Sequence, residues 1–517
     1  MVNATDSKSS ICRPPQLSTG VAGLDEILAG GLTPNRIYLV EGAPGTGKTT
    51  LGLQYLMEGA RRGEKVLYLC LSETHDELQE VADSHGWDLS GIAIVEPAVS
   101  EESLRPDEQS TMFHPSETEL TETNQRLLAE VERVKPARVV FDSLAELRLL
   151  AQNPWRHRRQ LVALKRFFLP RKCTVLMLDD LTRETMDLHL HATAHGVIQL
   201  EHLPPEFGAD RRRLRVVKMR GKDIVLGWHD YLIRTDGMEV FPRLTAAEHP
   251  GNGGPNVRLS SDIKELDALM GGGPSKGTST IIMGQAGTGK SSIAYQYAIA
   301  AARRGERAVI FSFDESLHTA LRRAEALGMD LAEHLEAGRI RIEQVDPGQL
   351  SPGEFSGRVR RAVEGSNHDA AKVLVIDSLN GYLNAMPAER FLLIQLHELL
   401  SYLGQQGVAT LLVVSQQGLV GTTGQTPVDT TYLADNTLLL RFFEAAGEVK
   451  RAISVIKMRS GKHETTIREL RIEPGGIVIS EPLRQFQGVL LGEPHFVETP
   501  PAVDGNGRHE HGRVQAV

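Results

Sequence analysis

Gly42-Ala43-Pro44-Gly45-Thr46-Gly47-Lys48-Thr49 is the stretch that decides the fold, and Gly284-Gln285-Ala286-Gly287-Thr288-Gly289-Lys290-Ser291 is its second copy. Both fit G-x-x-x-x-G-K-[ST], the phosphate-cradling P-loop. The residue types follow from the chemistry. Glycines let backbone N–H groups turn inward around phosphates with no Cβ in the way. A helix starting at the lysine adds the positive end of its dipole. Lys48 and Lys290 reach the β/γ-phosphates, and the Thr49 and Ser291 hydroxyls can ligate Mg²⁺.

Context raises the motif above chance. Ile37-Tyr38-Leu39-Val40 is a short apolar run before the first loop, and Thr49 to Arg62 reads as a helix stopped by Gly63. Thr280-Ile281-Ile282-Met283 and Ser291 to Arg304 repeat the strand–loop–helix in the second copy. The candidate nucleotide set is Gly42, Gly45, Thr46, Gly47, Lys48, Thr49 and Thr50, matched by Gly284, Gly287, Thr288, Gly289, Lys290, Ser291 and Ser292.

The repeat extends beyond the loops. Leu17-Ser18-Thr19-Gly20-Val21-Ala22-Gly23-Leu24-Asp25 is echoed by Leu259-Ser260-Ser261-Asp262-Ile263-Lys264-Glu265-Leu266-Asp267, each upstream of its own P-loop. Whole domains are therefore duplicated. The expected division is a lead-in at 1–16, domains at 17–243 and 258–497, a Gly/Pro-rich linker at 244–257, and a polar disordered tail at 498–517.

Composition bounds the function. Apolar residues at 41% and charged residues at 24% suit a globular protein, and no apolar run approaches a membrane span. The N-terminus has no signal-peptide core. Cys12, Cys70 and Cys173 have no paired spacing, so neither a disulfide framework nor a zinc site is indicated. The expected compartment is the cytoplasm, with no membrane partner. A net charge of −9 argues against general nucleic-acid binding. Two basic runs, Trp155-Arg156-His157-Arg158-Arg159 and Arg211-Arg212-Arg213 with Arg215, read as solvated faces. His509 and His511 read as tail rather than a metal site.

After each P-loop helix a second apolar strand ends in acid, Ser72-Glu73 in one half and Asp314-Glu315 in the other. Ligands of parallel α/β sheets sit at the carboxyl ends of strands. Glu73 and Glu315 are thus placed to orient or deprotonate an attacking water or hydroxyl. Residues 97–126 read as a long polar surface loop. Val139-Val140-Phe141-Asp142-Ser143 and Leu374-Val375-Ile376-Asp377-Ser378 have the Walker B pattern, in which the carboxylate holds Mg²⁺. The metal set is then Thr49 with Asp142, and Ser291 with Asp377. Further strands end in Asp179-Asp180 and Ser415-Gln416, so the two sites differ chemically. Lys218-Met219-Arg220 and Lys457-Met458-Arg459 close the domains. Residues i and i+2 of a strand share a face, so lysine and arginine should reach one target, a neighbouring subunit's γ-phosphate.

This ordered motif set resembles the KaiC family of RecA-like ATPases over roughly residues 17 to 490. The resemblance implies an α/β fold of two tandem RecA-like P-loop domains, each a mostly parallel twisted sheet flanked by helices. It implies Mg-ATP hydrolysis in a homohexamer with nucleotide at subunit interfaces, clock or signalling protein partners, and serine/threonine autophosphorylation by the C-terminal domain. Glu73 and Asp314-Glu315 would be the catalytic acids, and Lys218/Arg220 with Lys457/Arg459 would act across the interface. Two departures stand out: Ser72 replaces one acid of the first pair, and Thr431-Tyr432, preceded by Thr430, stands where the family has an adjacent Ser-Thr pair. Thr430 and Thr431 are the candidate phosphoacceptors. Two other readings share this core, a DNA-stimulated motor and a nucleotide-assembled scaffold without catalysis.

Overall fold

A computed structural model describes residues 15–96, 115–151, 153–180, 188–204, 208–246, 257–346, 348, 350–365, 370–386, 391–416, 432–459, 461–491 and 494–496. Contacts divide the chain into two units, Met1–Arg243 with Ser351–Gly357, and Leu244–Leu350 with Arg358–Val517. The lead-in lies almost wholly outside the described residues, as do most of the linker, the tail, and the candidate acceptors Thr430 and Thr431.

The first unit is built on nine strands: β1 (Ile37–Gly42), β2 (Val66–Cys70), β3 (Ala93–Val95), β4 (Arg138–Asp142), β5 (Thr174–Asp180), β6 (Gly196–Leu203), β7 (Arg211–Met219), β8 (His229–Arg234) and β9 (Gly237–Phe241). Their order is β3-β2-β4-β5-β1-β6-β7-β8-β9. From β3 to β6 neighbours run parallel, and β6 to β9 continue as antiparallel ribbons.

The second unit repeats this with β10 (Ser279–Gly284), β11 (Arg307–Ser312), β12 (Ile340–Gln344), β13 (Ala371–Asp377), β14 (Ala409–Ser415), β15 (Asn436–Ala445), β16 (Glu448–Met458), β17 (Arg468–Glu473) and β18 (Gly476–Pro482). Its order is β12-β11-β13-β14-β10-β15-β16-β17-β18. The expected α/β architecture, a mostly parallel sheet flanked by helices in each of two tandem domains, is what the chain adopts.

Every residue of β1, β2, β4 and β10 is buried, because helices cover both faces of a parallel sheet. On the first sheet Tyr38 and Val40 belong to one core cluster and Ile37 and Leu39 to another, the alternation a pleated strand imposes. The helix Lys48–Arg61 lies close on the sheet: a Cβ at Gly52 would stand 3.1 Å from Val140 Cγ1. Upstream, Ser18 Oγ and the Thr19 N–H donate to the Asp25 carboxylate at 2.6 and 2.8 Å, and Ser260 and Ser261 treat Asp267 identically.

One expectation fails. Residues 115–126 of the anticipated loop are not loop, because a helix spans Pro115–Val134; residues 97–114 lie outside the described set. Proline and early acids suit a helix N-terminus. Leu127 and Val131 are buried in its later turns, while the earlier turns are rich in Glu and Thr, a composition that reads as polar loop. Among the described residues no helix is long and apolar enough to cross a membrane.

Arg138, on β4, is fully buried. It pairs with Glu64, donates to the Ser18 and Tyr55 carbonyls at 2.7 and 3.0 Å, and stacks over the Tyr55 ring at 4.9 Å. Arg138→Leu would strip Glu64 of its partner and remove the side-chain donor from the Ser18 and Tyr55 carbonyls. A loss of about 3–5 kcal/mol is expected, read as a lower urea midpoint for the first domain.

Candidate functional site

Each P-loop is shaped by where its strand ends and its helix begins. Gly45 and Gly47 have φ of +78° and +85°, and Gly287 and Gly289 +81° and +99°. Gly47 and Gly289 are the N-caps of the helices Lys48–Arg61 and Lys290–Arg303, and neither supplies a side-chain cap. First-turn N–H groups without a cap are donors left for an anion. Thr46 and Thr288 brace the loops by donating to the Ala43 and Gln285 carbonyls, each at 2.8 Å. Thr50 and Ser292 are buried one residue further into the helix, and Ser292 still lines the second cavity.

In the first site Lys48 Nζ donates to the Gly42 and Ala43 carbonyls at 2.9 and 3.1 Å and pairs with Asp180 Oδ1 at 2.7 Å. Thr49 Oγ1 lies 3.4 Å from both Glu73 Oε1 and Asp142 Oδ2. Tyr68 donates its hydroxyl to Asp142 at 2.5 Å. Burial, reinforced by Asp142, raises the Glu73 carboxyl above its ordinary range; burial likewise raises Asp142, opposed by the Tyr68 hydrogen bond and by Lys48. Glu73 Oε2 is buried with no partner.

Local sequence sets Glu73 there. Thr74 caps the helix His75–Ser84 through a reciprocal capping box with Glu77, which fixes the chain just after the acid. Ser316 does the same for the helix Leu317–Ala326 by accepting from the Thr319 N–H at 3.2 Å.

The second site shares the scaffold and differs in charge. Lys290 Nζ donates to the Gln285 carbonyl at 2.7 Å and has no ion-pair partner among the described residues. Burial lowers its ammonium, partly offset by Asp377. Ser291 hydrogen-bonds Asp377, whose carboxyl is raised by burial and whose Oδ2 has no partner. Ser378 donates to Asp314, and Glu315 pairs with Arg323 at 2.7 Å. A cavity of about 320 Å³ opens over the loop, lined by Gly287, Lys290, Ser291, Arg323 and Arg451. The peptide after each Walker B aspartate, Asp142–Ser143 and Asp377–Ser378, is cis.

Among the described residues no three His, Cys, Asp or Glu side chains converge as a metal cage. The donor set nevertheless fits Mg²⁺. A hydroxyl beside a buried carboxylate, with one oxygen unmet at Asp377, is the small protein share of a site completed by water and phosphate oxygens. Thr49 with Asp142, and Ser291 with Asp377, are the groups that would hold it.

The strand-end residues align differently from their sequence pairing. Gly42 stands beside Asp180 and Gly284 beside Ser415, so Asp180 corresponds to Ser415, and Asp179 to Val414. Asp179 pairs with Arg148, and burial pushes its carboxyl up to about 6.

Lys218 and Arg220 do point together. Lys218 Nζ donates to the Ala194 and His191 carbonyls, and Arg220 Nη2 to the Ala192 carbonyl at 2.9 Å. Lys457 donates to the Ala434 carbonyl at 2.8 Å, and Arg459 lies 3.6 Å from Asp435. Register places both pairs far from their own loops. Lys218 faces Val197, and Gly196 faces Tyr38 at the start of β1, whereas the P-loop follows its other end. Lys457 faces Thr437 and Asn436 faces Thr280 in the same way.

Sequence reasoning missed Tyr68, Arg323 and Arg451, which come from other strands or from a helix, and named Asp180 only as a strand end, without its ion pair to Lys48. It also missed Trp228, over which Arg213 and Arg215 stack at 4.4 and 4.6 Å. Arg213 further pairs with Glu201 at 2.6 Å. That basic run is thus bound within its own domain, while Trp155 of the other run is 71% exposed.

Asp180 competes with phosphate for Lys48. Asp180→Asn should tighten ATP binding at the first site about 5-fold, the worth of a half-exposed ion pair of about 1 kcal/mol, as titration with a fluorescent nucleotide would show.

Comparison with known proteins agrees with this geometry. The family model described as KaiC ATPase matches residues 17–245 and again 259–484. The chain is 25% identical over 490 residues to the circadian clock protein KaiC3 of Synechocystis, covering 93% of this chain and 95% of the relative. It is 26% identical over 510 residues to the circadian clock oscillator protein KaiC of Prochlorococcus marinus, covering 96% and 99%. It is 26% identical over 489 residues to KaiC of Synechococcus elongatus, covering 93% and 92%. With two P-loop sheets of one topology and a family match across both, this chain belongs to the KaiC family of ATPases.

Proposed function

We propose that this protein is a Mg-ATP-dependent ATPase that works as a homohexameric ring, with each nucleotide held between subunits, and that its C-terminal domain also phosphorylates the chain itself. One observation supports the ring: each basic pair sits at the end of the strands opposite to its own P-loop. A six-residue strand at about 3.3 Å per residue separates them, too far for one side chain to bridge. We therefore read Lys218/Arg220 and Lys457/Arg459 as serving a triphosphate on another copy.

In the hydrolytic step a water oxygen bonds to the γ-phosphorus as the bond to the ADP oxygen breaks. The water's proton leaves toward Glu73 or Glu315, and ADP and phosphate depart. Lys48 or Lys290 and the first-turn N–H groups hold the charge that develops on the phosphate oxygens. Mg²⁺, when bound, neutralises charge on the β- and γ-oxygens. The neighbour's lysine and arginine complete the cage as the phosphoryl group moves. In the second domain Asp314 supplies another carboxylate beside Glu315. The first domain has Ser72 there, so its turnover depends on Glu73 alone.

Self-phosphorylation would replace water by the hydroxyl of Thr430 or Thr431, with the phosphoryl group bonded to threonine and ADP released. It rests on the family and on threonines at the acceptor position. The clock names of the relatives support signalling or clock-like regulation, which we read as acting through protein partners in the cytoplasm; the net charge of −9 counts against a DNA motor.

Light scattering with and without Mg-ATP should show a hexamer that forms with nucleotide. Turnover in Lys218→Ala/Arg220→Ala and Lys457→Ala/Arg459→Ala should fall about 10³-fold at the affected site. A monomer with full turnover would end the borrowed-residue reading. Glu73→Gln with Glu315→Gln should lower hydrolysis about 10²-fold or more, and unchanged hydrolysis would favour the scaffold. Intact mass after ATP incubation should rise by one phosphate, and Thr430→Ala/Thr431→Ala should abolish the rise.

A further inference from the structure

The two catalytic-acid candidates are held in different ways. In the first domain Glu73 rests near the Thr49 hydroxyl at 3.4 Å, and no cation pairs with it among the described residues. In the second, Arg323 reaches Glu315 Oε2 at 2.7 Å. Arg323 stands on the helix Leu317–Ala326, which begins just after the acid, and its guanidinium lies 4.7 Å over the ring of Tyr295. Tyr295 is buried on the P-loop helix Lys290–Arg303. Arg323 also lines the cavity that Lys290 and Ser291 open into. Counting from the matched motifs, the first domain has Val81 in place of Arg323 and Leu53 in place of Tyr295. Both members of the pair that could seat a cation beside the acid are apolar there.

We propose that Arg323, braced on Tyr295, is a positioning residue that clamps the Glu315 carboxylate toward the nucleophile of the second site, a device the first site lacks. The proposal rests on the reading of Glu315 as the carboxylate that orients the nucleophile. An arginine stacked on an aromatic face is restricted in rotation, so it holds its partner in one direction. A carboxylate fixed before substrate arrives need not reorganise during the reaction. Glu73 Oε2 and Glu315 Oε2 both lack a hydrogen bond, so what separates the two acids is the ion pair: Glu315 has a guanidinium at 2.7 Å, and Glu73 has only the Thr49 hydroxyl at 3.4 Å.

The test is a cycle in the full-length chain: wild type, Arg323→Ala, Arg323→Lys, Glu315→Gln, and Arg323→Ala with Glu315→Gln. ATP turnover is measured together with the dissociation constant of a fluorescent ATP analogue and the urea midpoint. Turnover lost in Glu315→Gln defines the second site's share. Arg323→Ala should remove at least nine-tenths of that share, with the analogue's dissociation constant changed less than threefold. Arg323→Lys should restore part of it. The double variant should match Glu315→Gln alone, because residues acting as one unit do not add. Wild-type turnover in Arg323→Ala, with Glu315→Gln still impaired, would overturn the clamp and leave the catalytic reading of Glu315 intact. Wild-type turnover in Glu315→Gln would overturn both. A tenfold weaker analogue affinity with turnover at saturation unchanged would make Arg323 a nucleotide contact, and a further loss in the double variant would make it a folding residue. Either result would overturn the clamp.

Discussion

A phosphate cradle needs several backbone N–H groups aimed at one point, and a chain of L-residues reaches that curvature only through left-handed positions. Gly47 and Gly289 take that conformation immediately before the lysine. They are pinned from outside as well: a Cβ on Gly47 would lie 2.5 Å from the Ile233 Cδ1 methyl, and one on Gly289 would lie 2.3 Å from that of Ile472. Tyr231 adds a 2.6 Å hydrogen bond to the Thr46 carbonyl. The antiparallel extension of each sheet therefore presses on the loop that the parallel part presents. The remaining site residues are arranged around a loop that cannot relax.

Around that shared geometry the two domains have diverged in charge. The first satisfies its P-loop lysine with Asp180 and leaves its catalytic-acid candidate without a cation. The second leaves Lys290 without an ion pair among the described residues and gives Glu315 an arginine. Carboxylates crowd the first site, so burial and mutual repulsion disfavour their charged forms. Duplication preserved backbone and register; substitutions at a few pocket positions made two unlike sites from one design.

The same logic separates what could be read from what could not. Gly45, Gly47, Lys48 and Thr49 act through local conformation, so their spacing alone announces a strand, a turn and a helix. Glu73 and Asp142 were legible because strand ends in a parallel sheet converge on the loop. Arg323 was not: it stands two helical turns after Glu315 and looks like one of many solvated arginines until the helix docks over Tyr295. Asp180 looked like the partner of a different residue, because strand register is set by hydrogen bonding across β1 and β5 and not by counting. The helix at 115–134 was hidden because its first turns are rich in Glu and Thr and read as a polar loop.

The sequence by itself determined two P-loop domains, their duplication, and the acids and hydroxyls that can meet phosphate and metal. These depend on local backbone preference and period, which a linear chain encodes directly. Only the tertiary structure decided which charge neutralises which, and that each basic pair lies a full strand length from its own P-loop. Those facts depend on register and on helix docking, where residues far apart in the chain are brought together by the burial of apolar surface that names neither of them.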